Sequence, residues 1–286
     1  MAHLIFFRRP ISPVNSREGF FVAMKSSLPS RKPNGLRIYR FSIFQSVPEL
    51  SHGIFGRQGG VSQEAFSSLN LSFSVGDEQE RVVHNRSLLM DALELDSLYS
   101  LKQVHGKEVR IIQDGQAAPH PFQPETVSGD ILMTDKPGLG LLIKQADCQA
   151  IVLYDPEHRA VANVHCGWRG NIGGVIRETI STMRKIYGSR PSRLLAGIGP
   201  SLGPCCAEFV NYRTEIPPHY WSYQVRRNYF DFWRMSRDQL LAEGLPEKNI
   251  EVAGICTSCE TSHFFSYRKE KKTGRFGTLI ALKRKT

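Results

Sequence analysis

Apolar and polar residues alternate along most of the chain from Leu36 onwards, and this pattern predicts a folded body rich in short strands. Over 38–43, Phe41 and Ile43 alternate with polar neighbours, which is the two-residue period of a strand. Other short apolar runs predict strands at 98–102, 108–113, 131–134, 140–143, 151–154, 160–165, 194–198, 250–255 and 276–282.

Three longer segments repeat their apolar residues every three or four positions, and this period predicts helices. They are 77–95, 173–186 and 231–243. In the second, Ile176, Ile180 and Met183 fall on one side, and Gly244 ends the third. Strands mixed with a few helices, without an internal repeat, predict a mixed α/β (α+β) chain folded as a single domain, with sheets at its centre and helices outside.

The first 35 residues show no sustained period and are rich in Ser, Pro, Arg and Lys. We therefore expect a disordered basic extension over 1–35 and a folded catalytic domain over 36–286. The apolar run 4–7 ends at Arg8 and is too short for the core of a signal peptide. No run of about 18 apolar residues is present, so no membrane span is expected. These features predict a cytoplasmic protein whose six cysteines are reduced thiols.

The net charge of +10 is concentrated at the two ends of the chain. Residues 1–35 hold six Lys and Arg against one acid, and residues 268–286 hold eight against one. The middle is therefore slightly acidic, and no RNA-binding or zinc-finger motif accompanies the basic ends. We expect a small-molecule substrate rather than a nucleic acid, and the sequence indicates no oligomeric state.

Three residues that can bind a metal stand at the ends of predicted strands. His105 follows one strand, Cys148 lies between two apolar strands, and His165 ends a strand before a glycine-rich turn. Ligands drawn from separate elements, rather than in close pairs, are typical of a catalytic zinc that keeps a fourth position for water. Such a zinc lowers the pKa of water to about 7. The residues alone leave an alternative, namely a hydrogen-bonded His and an inert buried Cys.

Short motifs around these residues extend over about residues 40–282. They lie at 52–57, 59–62, 68–71, 75–77, 85–86, 103–106, 146–148, 165–170, 197–200, 203–206, 264–268 and 273–276. In this order they resemble the YfiH-like family, known also as multicopper polyphenol oxidoreductase (laccase), purine nucleoside phosphorylase or peptidoglycan editing factor. One departure is Cys166, where the family usually has Ala after the His. Because it points to the opposite side of the strand from His165, we expect Cys166 to pack.

The resemblance implies a layered α-β-β-α sandwich with mixed sheets. It also implies that His105, Cys148 and His165 are the zinc ligands and catalytic residues. The implied activities are phosphorolysis of adenosine, inosine, guanosine and methylthioadenosine, and deamination of adenosine by a water that the zinc activates.

Phosphorolysis requires an anion site. Arg57, beside the glycine-rich turn at 59–60, is one candidate. Arg169, just before a predicted helix, is a second candidate for phosphate, and Asn70, inside a family motif, is a third candidate for substrate binding. A structural or surface role is the alternative for each arginine.

Other chemistries stay open at the same site. With Cys148 as nucleophile and a histidine as base, or with zinc, the protein would be an amidase acting on a cell-wall precursor. Copper bound by two His and one Cys would give a polyphenol oxidase, with Met133 as a candidate axial ligand. Nine His without a His-x-His pair cannot supply a four-copper cluster, so zinc is favoured over copper.

A non-enzymatic interpretation is a structural zinc closed by a fourth protein ligand. The sequence also contains a second group of cysteines. Cys256 and Cys259 form a C-x-x-C pair, but the neighbouring pair Cys205 and Cys206 lacks zinc-ribbon spacing. A structural role is therefore favoured there over a redox site or a second metal site.

Overall fold

The computed structural model describes residues 35–113 and 121–284, so the predicted extension over 1–35 lies outside the described residues except for Gly35. The described strands are β1 Ile38–Tyr39, β2 Leu50–Phe55, β3 Ser97–Ser100, β4 Val109–Ile112, β5 Ile131–Thr134, β6 Leu139–Gln145, β7 Gln149–Asp155, β8 Ala160–Cys166, β9 Leu195–Ile198, β10 Gln224–Arg226, β11 Tyr229–Phe230, β12 Ile250–Val252 and β13 Phe276–Leu282. The described α-helices are α1 Gln79–Leu93, α2 Trp168–Ile172, α3 Val175–Tyr187, α4 Tyr212–Glu215, α5 Phe232–Ala242 and α6 Tyr267–Glu270. None of these helices has the length and apolar character needed to cross a bilayer.

Two mixed sheets form the centre of the fold. The first has the strand order β1-β2-β13-β6-β3, and the second has the order β12-β9-β7-β8-β5-β4. β3 is parallel to β6, β4 to β5, and β12 to β9, while the other paired strands are antiparallel. β10 and β11 form a separate short hairpin.

Alternating side chains of the central strands build three apolar layers. Along β6, Leu141 and Ile143 join a cluster between the two sheets, whereas Leu142 packs towards α1. Along β7, Val152 joins the cluster between the sheets and Leu153 packs in the cluster that contains α3. Helices therefore cover the outer faces of two stacked sheets, which confirms the predicted mixed α-β-β-α sandwich.

Most predicted elements are present, and the differences have local causes. The strand predicted over 38–43 ends at Tyr39 because the chain turns into a 3-10 helix at Ser42–Phe44. This turn lets Phe44 pack in the layer between the sheets. The helix predicted over 173–186 begins at Val175, because Gly174 has a left-handed φ of 82° and separates α2 from α3.

β2 was recognised in the sequence only as part of a family motif and not as a strand. It lies between β1 and β13, and every one of its residues is buried. Its sequence places Ser51, His52 and Gly53 inside the strand, which conceals the period of two. His52 Nε2 accepts a hydrogen bond from the Phe41 N–H, and this partner explains its burial.

The connection between β6 and β7 positions the site. β6 belongs to the first sheet and β7 to the second, so residues 146–148 cross from one sheet to the other. The end of β8, with His165, lies beside the start of β7, because His165 pairs with Ala150. Cys148 therefore lies at the junction of the two sheets, next to the end of β8 that carries His165.

Candidate metal centre

His105, Cys148 and His165 come together although they lie on three separate connections. One potential ligand atom from each lies within 4.8 Å of the other two, and the two imidazole rings are 4.8 Å apart between centroids. His165 is buried, Cys148 is half-buried and His105 is exposed. The cluster thus runs from the interior of the fold to its surface.

Asp130, which no sequence motif marks as a site residue, orients two of these residues. Its Oδ1 lies 2.7 Å from His165 Nδ1, so Nε2 is the ring nitrogen left for a metal. The same carboxylate accepts the backbone N–H groups of His105 at 2.9 Å and Gly106 at 2.7 Å. The only signal in the sequence is an acidic residue after Gly129 at the start of an apolar strand.

The turn that carries His105 is held in an uncommon backbone conformation. His105 has φ 62°, in the left-handed region that non-glycine residues seldom occupy. Successive N–H groups of this turn point at Asp130, and an anion in such a concave arrangement stabilises it. Asp130 therefore fixes both the ring of His165 and the backbone of His105.

Charge within the cluster favours a thiolate. Burial opposes ionisation of Cys148, but the imidazoles of His165 and His105 outweigh it and lower the pKa of the thiol to about 6. Burial likewise disfavours a charged His165, but Cys148 and Asp130 raise its pKa to about 9. The thiolate form is the one that binds metals.

Gly167 allows the close approach of these groups. A Cβ at this position would lie 2.9 Å from His105 Cδ2 and 3.2 Å from Cys148 Sγ. Its φ of −69° is open to any residue, so space rather than backbone freedom requires glycine. The glycine after His165 and Cys166 is therefore part of the site.

The donor set fits a zinc-type ion. Two imidazole nitrogens and one thiolate sulfur are ordinary zinc ligands, and their mutual spacing lets one ion touch all three. Among the described residues, no fourth His, Cys, Asp or Glu joins the group. All three residues also line a large cavity, so an ion held by them would be open to a substrate, as in catalytic rather than closed structural sites.

The cavity has a volume of about 920 Å³, and its wall contains more cationic than acidic side chains together with several aromatic rings. Arg169 lies in this wall with its guanidinium 4.4 Å from the Trp168 ring centroid. The cationic lining residues are Lys102, Lys144, Arg169, Arg268, Lys271 and Arg275. The aromatic ones are Phe73, Trp168, Phe209, Phe232 and Tyr267.

The structure does not bring Arg57 or Asn70 into the cavity wall. The Arg57 guanidinium donates to Glu270 and to the carbonyl oxygen of Thr261, both at 2.7 Å, and stacks over Phe265. It therefore joins distant loops outside this cavity, which favours the structural alternative for Arg57 over phosphate binding.

Asn70 is fully buried and acts through another residue. Its Oδ1 accepts the backbone N–H of Arg275 at 2.9 Å, and its Nδ2 donates to Asp77. It thus positions the loop of a cavity arginine and does not itself face the cavity. Of the three predicted binding residues, only Arg169 lies in the wall.

Two further features near the ligands have structural partners. Asp147 Oδ1 accepts hydrogen bonds from Thr257 and Ser266, each at 2.7 Å, and Oδ2 accepts the Arg268 N–H at 2.6 Å. Asp147 is thereby an anchor for two loops. Cys166 packs in the cluster under α3, as predicted, and burial raises the pKa of its thiol to about 12.

Comparisons with known proteins find relatives that match most of this chain. The sequence profile of a family described as "Multi-copper polyphenol oxidoreductase laccase" matches residues 51–283. A purine nucleoside phosphorylase of Bacteroides thetaiotaomicron is 32% identical over 246 residues, which cover 82% of this chain and 91% of that protein. Purine nucleoside phosphorylase YlmD of Geobacillus stearothermophilus is 33% identical over 242 residues, which cover 80% of this chain and 88% of that protein.

Two solved structures have the same fold. The crystal structure of YlmD from Geobacillus stearothermophilus matches with a TM-score of 0.79 at 30% identity, covering 88% of this chain and 98% of that one. The crystal structure of the hypothetical protein YfiH of Bacillus licheniformis matches with a TM-score of 0.78 at 29% identity, covering 87% of this chain and 96% of that one.

Proposed function

This chain belongs to the family described as multi-copper polyphenol oxidoreductase laccase, and we propose that it is a zinc-dependent purine nucleoside phosphorylase. One observation carries the proposal. His105, Cys148 and His165 meet on the wall of a cavity that also contains several cationic and aromatic side chains. Relatives named purine nucleoside phosphorylase, at about a third identity, support this reaction class and make a nucleoside and phosphate the proposed substrates.

Zinc is the proposed ion because its preferred ligands and coordination number match the group. Two imidazoles and one thiolate from His105, His165 and Cys148 would hold the ion, and zinc there would supply a Lewis acid. Asp130 keeps His165 in one orientation and the His105 turn in one conformation, so the donors are arranged before any ion binds.

A multi-copper centre finds no support in the described part of the chain. No metal-capable group there contains more than two histidines. Met133 is buried in the cluster beneath α3 and does not line the cavity. A single copper in place of zinc is the remaining alternative, and elemental analysis distinguishes the two.

The anion site for phosphate is proposed at Arg169 and Arg275. Both line the cavity that contains the metal ligands, and the loop of Arg275 is fixed by Asn70. A guanidinium can bind two phosphate oxygens at once. In the reaction a phosphate oxygen forms a bond to the ribose C1′ while the bond from C1′ to the purine nitrogen breaks. The base leaves and gains a proton, and a sugar 1-phosphate remains.

We propose adenosine, inosine, guanosine and methylthioadenosine as substrates of this phosphorolysis, with deamination of adenosine at the same centre. In deamination, water adds to C6 of the purine and ammonia leaves, which converts adenosine into inosine. Aromatic rings such as Phe209 and Trp168 offer flat apolar surfaces against which a purine can stack.

The test is to incubate zinc-loaded protein with these four nucleosides, with and without phosphate, and to separate the products by chromatography. We expect the free base only when phosphate is present. In the absence of phosphate, we expect adenosine to be converted into inosine. His105→Ala should lose zinc and both activities. His84→Ala, which changes an exposed histidine of α1, should retain them. Activity that survives complete metal removal would contradict the role of zinc.

A second candidate rests on the contact between His165 and Asp130. Cys148, His165 and Asp130 have the order of nucleophile, base and orienting acid found in thiol hydrolases. This arrangement would suit an amidase that acts on a cell-wall precursor. Release of serine from a muropeptide precursor by metal-free protein, with no turnover of any nucleoside, would favour it over the phosphorylase.

A further inference from the structure

Four cysteines form a second cluster that the proposed reaction does not use. Cys205 and Cys206 lie on the connection that follows β9, and Cys256 and Cys259 lie on the connection that follows β12. One sulfur from each lies within 4.8 Å of the other three, and Cys259 Sγ is 3.6 Å from both Cys205 Sγ and Cys206 Sγ. All four are free thiols.

We propose that these four cysteines bind a second zinc ion as a closed tetrathiolate site. A tetrahedron with zinc–sulfur distances of about 2.3 Å has sulfur–sulfur edges of about 3.8 Å. The observed spacing therefore already approaches that of the liganded state. Four protein ligands complete the coordination of zinc, so this site is structural and not catalytic.

The backbone around the cluster is arranged as a scaffold for the sulfurs. Ser201 and Cys256 form a bridge between the two connections, and the Gly203 N–H donates to Cys256 Sγ at 3.3 Å. The second connection turns back on itself, because the Cys259 N–H donates to the Cys256 carbonyl oxygen. Cys256 is buried while Cys205 and Cys259 are exposed, so an ion can enter from solvent.

Positive charge lies where a zinc tetrathiolate, with its net charge of −2, needs it. Arg226 donates to the carbonyl oxygen of Cys205 at 3.0 Å, and Arg268 donates to that of Cys206 at 2.9 Å. Each guanidinium is thereby held beside a ligand residue. A positive charge held near the sulfurs offsets part of this negative charge through space.

The cluster is linked to the first metal centre through Asp147. Thr257, between the cysteines, donates to Asp147, whose neighbour in the chain is Cys148. Leu202 donates its N–H to the Asp147 carbonyl oxygen at 2.8 Å. Zinc at the four cysteines would therefore fix the two loops that anchor the turn of Cys148 and would hold Arg268 in the cavity wall.

The test measures zinc per chain in the full-length protein, purified under reducing conditions, by elemental mass spectrometry. We expect two zinc ions in the wild type, one in Cys148→Ser and one in the double variant Cys205→Ser with Cys259→Ser. Ser258→Ala, which alters the same turn without removing a sulfur, should keep two. The double variant should also have a lower Tm than Cys148→Ser.

A cobalt-loaded sample provides a second readout that does not depend on the folding of the double variant. Cys148→Ser loaded with cobalt should show the intense visible absorption of a tetrahedral thiolate site, because only the four-cysteine cluster can then give it. No zinc in Cys148→Ser, or a colourless cobalt form of that variant, would overturn the proposal, whereas one zinc in the wild type that Cys148→Ser retains would contradict only the metal of the proposed function. An intact mass that shows four hydrogens lost under non-reducing conditions would assign the cluster to disulfides instead.

Discussion

At the scale of single residues, the sequence identifies three candidate metal ligands, and the structure brings them together. The sequence does not identify the residue that orients them. His105, Cys148 and His165 stand out because each lies in a short motif at a strand end. Asp130 has no such motif, and its role depends on a contact with His165 that only the folded chain creates. Arg57 was assigned to phosphate from its neighbouring glycines, but its partner Glu270 lies 213 positions further along the chain.

Replacement of Asp130 by Asn tests its orienting role. The amide removes the negative charge that fixes His165 and the His105 turn, so we expect the affinity for zinc to fall about 10–100-fold. Competition with a chromophoric chelator measures this affinity. Asp135→Asn, which changes an exposed acid beyond the end of β5, should leave it unchanged. Equal affinity for zinc in Asp130→Asn and Asp135→Asn would show that Asp130 does not orient the metal-binding residues.

At the scale of elements, the hydrophobic period alone predicts most of the described strands and the three longest described helices, whereas element boundaries depend on tertiary contacts. β13 has the predicted bounds because all seven of its residues are apolar or small and buried. β2 escaped prediction because His52 is polar in sequence and buried in the fold. The α2–α3 break at Gly174 required a backbone conformation that hydrophobic period does not encode.

A buried ion cluster connects α1, β6 and the loop before β5. Glu125 lies between Arg86 of α1 and Lys144 of β6, each 2.5 Å from its carboxylate. Burial opposes ionisation of Glu125, but Lys144 and Arg86 lower its pKa to about 2. Burial also lowers the pKa of Lys144 to about 8, although Glu125 acts against this. The carboxylate is thus the counter-charge for two buried cations.

Glu125→Gln should lower the free energy of unfolding at pH 7 by about 3–5 kcal/mol, because it leaves those cations without a counter-charge. In the wild type the folded-state pKa lies below the unfolded value, so this stabilisation is complete above about pH 4.3 and is lost as the pH falls towards 2. Urea unfolding at several pH values measures it. Glu80→Gln, exposed on α1, should change stability by less than about 0.5 kcal/mol.

At the scale of the whole molecule, a shared apolar layer joins the two sheets into a single domain. The central cluster combines Ile54 and Ile280 of the first sheet with Val152 and Val161 of the second. The sequence predicted this layered order through its resemblance to a family, since composition alone allows many mixed α/β folds. The cavity could not be predicted, because loops from both sheets enclose it.

Thermal unfolding should therefore show one cooperative transition, since neither sheet can keep its inner face buried alone. Metal removal by a chelator should move this transition to lower temperature without dividing it, because an ion that binds only the folded state stabilises all of it. Scanning calorimetry measures both effects. Two separate transitions in the metal-bound protein would contradict the single-domain interpretation.

The crossing of residues 146–148 between the sheets has a consequence for folding. Cys148 meets His165 only when β6 is seated in the first sheet and β7 in the second. A chain with only one sheet formed would keep these side chains apart and could not offer them to a single ion. The proposed metal would therefore bind tightly only to a chain in which both sheets have formed.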